Sequence, residues 1–110
     1  MNVQVTNVRG KKSAEDRAKI CYVGRGFAGW PNTPYGNHRR LECPDEFRSS
    51  LIELPAETLD GLLANLWALC EHGAKPLGCW CLYWDGTGET PACHAAVWAE
   101  LLNRRFANAG

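Results

Sequence analysis

The chain has 110 residues, the usual size of one domain, and 45% of them are hydrophobic, which is enough for a single core. Its 12 basic and 12 acidic residues give a formal net charge of zero. This balance argues against a general nucleic-acid clamp, because such proteins normally carry a basic excess. We interpret the short basic pairs Lys11-Lys12, Arg39-Arg40 and Arg104-Arg105 as solvated surface.

The sequence contains no apolar run long enough to cross a membrane. The first five residues lack the basic start and apolar core of a signal peptide. We therefore expect a cytoplasmic protein. In a reducing compartment its six cysteines favour metal binding, catalysis or plain burial over disulfide bonds.

The first half of the chain predicts two strands and a long loop. Alternating valines at residues 3–8 predict the first strand, and the charged segment 10–17 predicts a loop with room for one helical turn. Residues 19–23 predict the second strand, ended by Gly24-Arg25-Gly26, with Cys21, Val23 and Arg25 on one face. Residues 26–41 are rich in Gly, Pro and Asn and predict a loop. Trp30 and Tyr35 are expected to anchor it by burying their rings.

The second half predicts helix, helix, strand and helix. Pro44-Asp45-Glu46 begins the first helix, which should end by Pro55. Apolar residues at helical spacing from Leu59 to Cys70 predict the next, with Gly73 as its stop. Residues 76–83 predict the third strand, and residues 91–106 the last helix. The fold class is therefore α/β (or α+β): a single domain, residues 1–110, with a three- to four-stranded sheet covered by about three helices.

Cysteines concentrate around the third strand and the last helix. Cys79 and Cys81 point to one face of the strand, because strand side chains alternate. Thr90-Pro91 is typical of a helix start, which places Cys93 in the first turn, where unpaired backbone N–H groups favour a thiolate. We expect the three thiols to converge at one strand end.

A metal site is one interpretation of this cluster. Cys79, Cys81 and Cys93 supply three ligands for zinc or an iron–sulfur cluster, and His94 is the candidate fourth. Neighbouring helical residues diverge by roughly 100°, so Cys21, Cys43 or His38 are alternatives to His94.

A ligand pocket is the second interpretation. Cys93 beside His94 has the setting of a reactive thiol, and Arg25 at the end of the second strand can meet an anionic ligand, which makes these three the candidate catalytic residues. Ligands of parallel sheets bind beyond the carboxyl ends of the strands. Side chains of the long loop can cover a base by stacking and amide hydrogen bonds; they are Trp30, Asn32 and Tyr35.

A structural interpretation stands beside both. Cysteines are often small core residues, which suits Cys70 and Cys21 best and Cys79 and Cys81 well. His94 can simply bond a nearby carbonyl, and Arg25 can be a structural ion-pair partner. His72 is expected to lie exposed at the end of its helix.

The sequence resembles the bacterial and phage "domain of unknown function 4326" family. The resemblance runs from about Asn7 to Asn103 and is carried by Thr6-Asn7-Val8-Arg9, Tyr22-Val23-Gly24-Arg25, Trp30 with Asn32 and Pro34, Gly78-Cys79-Trp80-Cys81 and Cys93-His94. Two spacings are longer than is usual in the family. Thr33 is inserted between Asn32 and Pro34, and the residues from Leu82 to Ala92 separate the Cys-Trp-Cys strand from Cys93-His94. The resemblance implies that these residues form one site, to which Asn7 and Arg9 contribute as ligand-binding residues, and it implies no particular activity.

We therefore expect a small-ligand or nucleotide-related binding or processing domain. The alternative is a structural zinc-binding interaction module without catalysis, in which four ligands enclose the metal and a chelator unfolds the domain. The sequence leaves open whether any reaction is catalysed.

Overall fold

The computed structural model describes residues 3–8, 13–26, 30–36, 44–80 and 94–107. These residues form a small sheet with helices on it, which confirms the predicted α/β class. The elements, in chain order, are β1 (Val5–Asn7), α1 (Ala14–Ala18), β2 (Cys21–Tyr22), α2 (Pro44–Ile52), α3 (Ala56–Leu69), β3 (Leu77–Cys79), α4 (His94–Leu102) and a π-helical turn (Asn103–Ala107).

The three strands are parallel and lie in the order β1-β3-β2. Leu77 is in register with Val5 on one side and with Cys21 on the other. Parallel strands need crossover connections, which α1 provides after β1 and α2 with α3 provide after β2. The carboxyl ends of all three strands therefore meet at one edge of the sheet.

Both faces of the sheet are covered. Val5, Cys21, Leu77 and Cys79 belong to the main core, which α2, α3 and α4 complete. A smaller cluster covers the opposite face and consists of Val8, Ile20, Tyr22 and Trp30, with Trp80 packed against it. The alternation predicted for the second strand is confirmed, because Cys21 and Val23 lie in the main core and Tyr22 lies in the smaller cluster.

Gly78, in the middle of the central strand, allows the smaller cluster to close over the sheet. A Cβ at this position would overlap Cγ2 of Ile20 and lie 2.7 Å from Cγ1 of Val8. Both approaches are far closer than van der Waals contact, so the side chains that flank β3 require glycine between them.

The helix ends follow local capping rules. Ser13 caps α1, since its Oγ accepts from the backbone N–H of Asp16 at 3.1 Å. The segment predicted as a loop with one helical turn thus contains a five-residue helix. After α3 the backbone turns through positive φ values at Glu71 (52°), His72 (58°) and Gly73 (93°). The helix therefore ends at Leu69, before the predicted stop at Gly73, and Gly73 is the last residue of the turn that follows it.

The last helix has an α-helical part followed by a π-helical part. α4 runs from His94 to Leu102 and the π-helical turn continues it to Ala107, while the predicted start at residues 91–93 lies outside the described residues. The predicted third strand is present at Leu77–Cys79, and its continuation over residues 81–83 also lies outside them. In the described part of the chain, every helix is too short or too polar to span a bilayer.

Candidate functional site

Residues 30–36 cross the carboxyl end of the edge strand β2. Trp30 is buried in the smaller cluster on one side of the sheet, whereas Tyr35 is buried in the main core on the other. Between them, the backbone N–H and Oγ1 of Thr33 donate to the carbonyl of Gly24 at 3.2 and 2.8 Å. The 30–36 segment is thus fixed at both ends and in the middle, as the predicted burial of its two rings implied.

Tyr35 is an anchor of this segment. Its side chain is 2% exposed, and its ring meets that of Trp98 edge-on with centroids 5.3 Å apart. The Tyr35 carbonyl accepts from Nε1 of Trp98 at 2.8 Å, and its hydroxyl accepts from Nδ2 of Asn65 at 2.8 Å. Burial raises the pKa of Tyr35. The ring that was predicted to contact a ligand is therefore enclosed by the core in this structure.

Trp30 is also enclosed, and its indole nitrogen sets it apart from the other tryptophans described below. The ring is 5% exposed and stacks on Tyr22 with centroids 5.0 Å apart, and the guanidinium carbon of Arg17 lies 5.7 Å from its centroid. The buried Nε1 has no hydrogen-bond acceptor within the described part of the chain. This differs from Trp80 and Trp98, whose indole N–H groups are both paired.

Tyr22 links the ends of the strands. Its hydroxyl donates to the carbonyl of Arg25 at 2.5 Å and accepts from Nε1 of Trp80 at 3.1 Å. On the other side of β3, Nδ2 of Asn7 donates to the carbonyl of Trp80 at 3.4 Å. A Cβ on Gly24 would overlap the Tyr22 hydroxyl oxygen, so glycine is required there. The ends of β1, β3 and β2 are therefore joined by side-chain hydrogen bonds.

Arg25 and Asn32 are the exposed polar residues at this end of β2. The Asn32 side-chain oxygen accepts from the backbone N–H of Gly26 at 3.1 Å, which holds the chain just after Arg25. Gly36 packs against the same backbone, since a Cβ on it would lie 2.9 Å from the Arg25 nitrogen. Among the described acidic side chains, none forms an ion pair with Arg25. Its backbone is fixed while its guanidinium group faces solvent.

His94 brings the start of α4 to the end of β2. Its Nε2 lies 3.1 Å from the carbonyl oxygen of Val23, and its ring contacts Phe47 edge-on with centroids 5.7 Å apart. A carbonyl only accepts hydrogen bonds, so Nε2 is the donor in this contact. The expected bond between His94 and a nearby carbonyl is present.

The described thiols lie in the main core. Cys70 and Cys79 are fully buried and Cys21 is 7% exposed. The pKa of Cys21 is raised to about 12, mainly by burial and also by the neighbouring Cys70, while Lys75 acts in the opposite direction. Burial also raises the pKa of Cys70. At neutral pH Cys21 and Cys70 are therefore neutral thiols, which fits the structural interpretation of both.

The predicted thiol cluster cannot be assembled from the described residues. Cys81 and Cys93, together with Arg9 and the alternatives His38 and Cys43, lie outside them. Within the described residues, no three His, Cys, Asp or Glu side chains are grouped as a metal site. The convergence of Cys79, Cys81, Cys93 and His94 stays a prediction.

The structure thus brings Asn7, Arg25, Asn32 and His94 to one edge of the sheet, with Trp30 beneath it and Tyr35 in the core. Sequence reasoning missed Tyr22 as the residue that links them. The sequence contained a sign of this role, because the alternation of side chains along a strand puts Tyr22 and Trp80 on the same face of neighbouring strands.

Comparison with known proteins identifies the family of this chain. No curated protein and no solved structure matches this chain. The family model of the Domain of unknown function (DUF4326) matches residues 6–104, which include every described residue of the site. The match covers most of the chain and agrees with the resemblance carried by its motifs, and the chain therefore belongs to the DUF4326 family.

Proposed function

We propose that this domain binds a small anionic ligand of the nucleotide type at the carboxyl edge of its parallel sheet. The observation that carries the proposal is Arg25: an exposed guanidinium group, without an acidic partner among the described residues, on a backbone that neighbouring residues hold in place. A charged donor fixed before binding loses little conformational freedom when the ligand arrives. Arginine also matches the oxygen geometry of phosphates and carboxylates.

The surrounding residues support a ligand with polar groups besides its anion. Asn32 is exposed beside Arg25, and Asn7 and His94 lie half-buried at the ends of β1 and β2. Ligands of open parallel sheets bind at this position, beyond the carboxyl ends of the strands. Because Trp30 and Tyr35 bury their rings, we assign Arg25 and Asn32 to the contacts with the exposed part of the ligand.

Processing of the ligand would be a further step. Cys93, which directly precedes α4, is the candidate nucleophile, with His94 and Arg25 as its partners. The contact of Nε2 of His94 with the Val23 carbonyl fixes the imidazole at the start of α4, next to Cys93 in the sequence. A Cys93→Ser variant that binds but does not convert the ligand would support this role.

The binding test uses nucleoside monophosphates, ribose 5-phosphate and inorganic phosphate as probes, with thermal shift and calorimetry as readouts. We expect at least one nucleoside monophosphate to bind, and Arg25→Ala to weaken binding by about 10- to 100-fold, the usual value of a hydrogen bond to a charged group. The matched control is Arg104→Ala, since the Arg104 side chain is 71% exposed and lies in the π-helical turn. Equal affinities of the Arg25→Ala and Arg104→Ala proteins would contradict the proposal.

A structural zinc module is the alternative proposal, with Cys79, Cys81, Cys93 and His94 as ligands. In the structure Cys79 packs within the core and Nε2 of His94 contacts the Val23 carbonyl, so this nitrogen would bind a metal only if that contact were given up. Elemental analysis and a titration of the thiols with and without a chelator decide between the two. About one equivalent of zinc, lost together with the fold, would favour the zinc module.

A further inference from the structure

The indole N–H of Trp30 is the exception among the buried polar side-chain atoms of the described residues. Every other such atom in this part of the chain has a hydrogen-bond partner, whereas Nε1 of Trp30 has none. The comparison with Trp98 is direct, because Trp98 is also buried and donates to the Tyr35 carbonyl at 2.8 Å. Leaving a buried donor unpaired costs about 1 to 3 kcal/mol. A buried tryptophan usually avoids this cost by finding an acceptor.

The position of Trp30 links this donor to the proposed site. Trp30 begins the 30–36 segment, and its ring stacks on Tyr22, whose hydroxyl holds the Arg25 carbonyl. Two residues further on, Asn32 is exposed and bonded to Gly26. The unpaired N–H therefore lies beneath the same strand end that carries Arg25.

The surroundings of Trp30 restrict the kind of acceptor. Its cluster consists of Val8, Ile20 and Tyr22, with Trp80 packed against it. Burying an ionised phosphate or carboxylate among such side chains is very costly, whereas burying an uncharged carbonyl oxygen or ring nitrogen costs much less once it accepts a hydrogen bond. The anion of the ligand would stay at the exposed Arg25.

Resting on the proposed function, we infer that the indole N–H of Trp30 is a specificity-determining donor that binds an uncharged acceptor atom on the base of the ligand. The Trp30 ring is already stacked on Tyr22 and 5% exposed, so it contributes through its N–H and not by stacking on the base. Because the nitrogen is closed to solvent, binding of the base requires the side chains that cover the Trp30 indole to move. A base-bearing ligand is thereby distinguished from a sugar phosphate or phosphate alone.

The test follows the indole N–H signals by nuclear magnetic resonance in the full chain labelled with nitrogen-15. The Trp30 signal is identified by its loss in Trp30→Phe. In the ligand-free protein we expect its chemical shift and temperature coefficient to be those of an indole without an acceptor, unlike the signals of Trp80 and Trp98. AMP, GMP, CMP and UMP are then added separately, with ribose 5-phosphate as the probe without a base.

We expect the nucleoside monophosphate that binds to move the Trp30 signal downfield, and ribose 5-phosphate to leave it unchanged. Trp30→Phe should lower the affinity for that nucleotide by about two- to tenfold, which corresponds to one neutral hydrogen bond. The affinity for ribose 5-phosphate should not change. Trp67→Phe is the matched control, since Trp67 stacks with His72 and Phe106 away from the strand ends.

Three results would overturn the inference. A Trp30 signal that is hydrogen-bonded before any probe is added would mean that a trapped water or another group already accepts from it. A nucleotide that binds in an Arg25-dependent way without moving the Trp30 signal would leave the proposed function standing and remove this role of Trp30. If no probe binds, the proposed function and the inference both fail.

Discussion

The side chain of Asn103 pairs with the backbone of Val3 as a neighbouring strand would. Its Oδ1 accepts from the Val3 N–H at 2.6 Å, and its Nδ2 donates to the Val3 carbonyl at 3.4 Å. Val3 is fully buried and Asn103 is 6% exposed, so water cannot replace these bonds. The first residue of the π-helical turn thus satisfies the backbone just before β1, an outer strand of the sheet.

Asn103→Ala is expected to lower the free energy of unfolding by about 1 to 3 kcal/mol, because it leaves the buried Val3 N–H and carbonyl unpaired. Urea denaturation followed by circular dichroism measures the change. Asn65→Ala is the control, since Asn65 is exposed and donates one side-chain hydrogen bond, to the Tyr35 hydroxyl, and its cost should be smaller, about 1 kcal/mol. Equal costs for the two substitutions would show that the pairing with Val3 contributes little.

Gly78→Ala should be among the most damaging single substitutions in the sheet. The new methyl would overlap Ile20 and Val8, and we expect a loss of about 3 kcal/mol or more, or a protein that does not fold. Gly61→Ala provides the opposite case. Gly61 lies in α3, and a methyl group added there would have nothing within 4 Å, so alanine should raise the free energy of unfolding by up to about 1 kcal/mol. Thermal and urea unfolding of both variants test the contrast.

Tyr22→Phe should loosen the strand ends while keeping the ring stack with Trp30. It removes the donor to the Arg25 carbonyl and the acceptor of the Trp80 indole. We expect a loss of about 1 to 3 kcal/mol in stability and, if the proposed function is correct, weaker nucleotide binding, because the backbone of Arg25 is no longer held. Calorimetry at a temperature where both proteins are folded separates the two effects. An unchanged affinity for the nucleotide would mean that Arg25 binds it equally well without the hydrogen bond from Tyr22.

The protein should lose stability at alkaline pH through Cys21. Burial raises the pKa of this thiol from 9.0 to about 12, so the unfolded chain releases the proton first. The contribution of the neutral Cys21 thiol to the free energy of unfolding is complete below about pH 9. It is lost as the pH rises towards 12, at up to about 1.4 kcal/mol per pH unit. Urea unfolding of the wild type and of Cys21→Ala, compared between about pH 8 and about pH 11, measures the part of the pH dependence that comes from Cys21. Parallel curves for the two proteins would show that Cys21 does not titrate differently in the two states.

Local patterns predicted much of the fold because they depend on neighbouring residues. The alternation at Cys21 and Tyr22 assigned each side chain to the correct face, and the apolar spacing in α3 placed Leu63 and Leu66 in the core. The family was also recognisable from its motifs.

Relationships between distant segments were not predictable in this way. The order β1-β3-β2 depends on which strands fit side by side, and nothing near Trp30 or Tyr35 shows that the two rings lie on opposite sides of the sheet. Asn103 gives no sign in the sequence that it pairs with Val3. Such contacts are fixed by packing across the whole chain.

The strand order has a consequence for how the sheet forms during synthesis. Both outer strands, β1 and β2, are hydrogen-bonded to the central strand, which is the last of the three to leave the ribosome. A nascent chain that ends before Leu77 lacks the strand with which both β1 and β2 pair. The sheet, and with it the edge that carries Arg25, can therefore form only after β3 has been made.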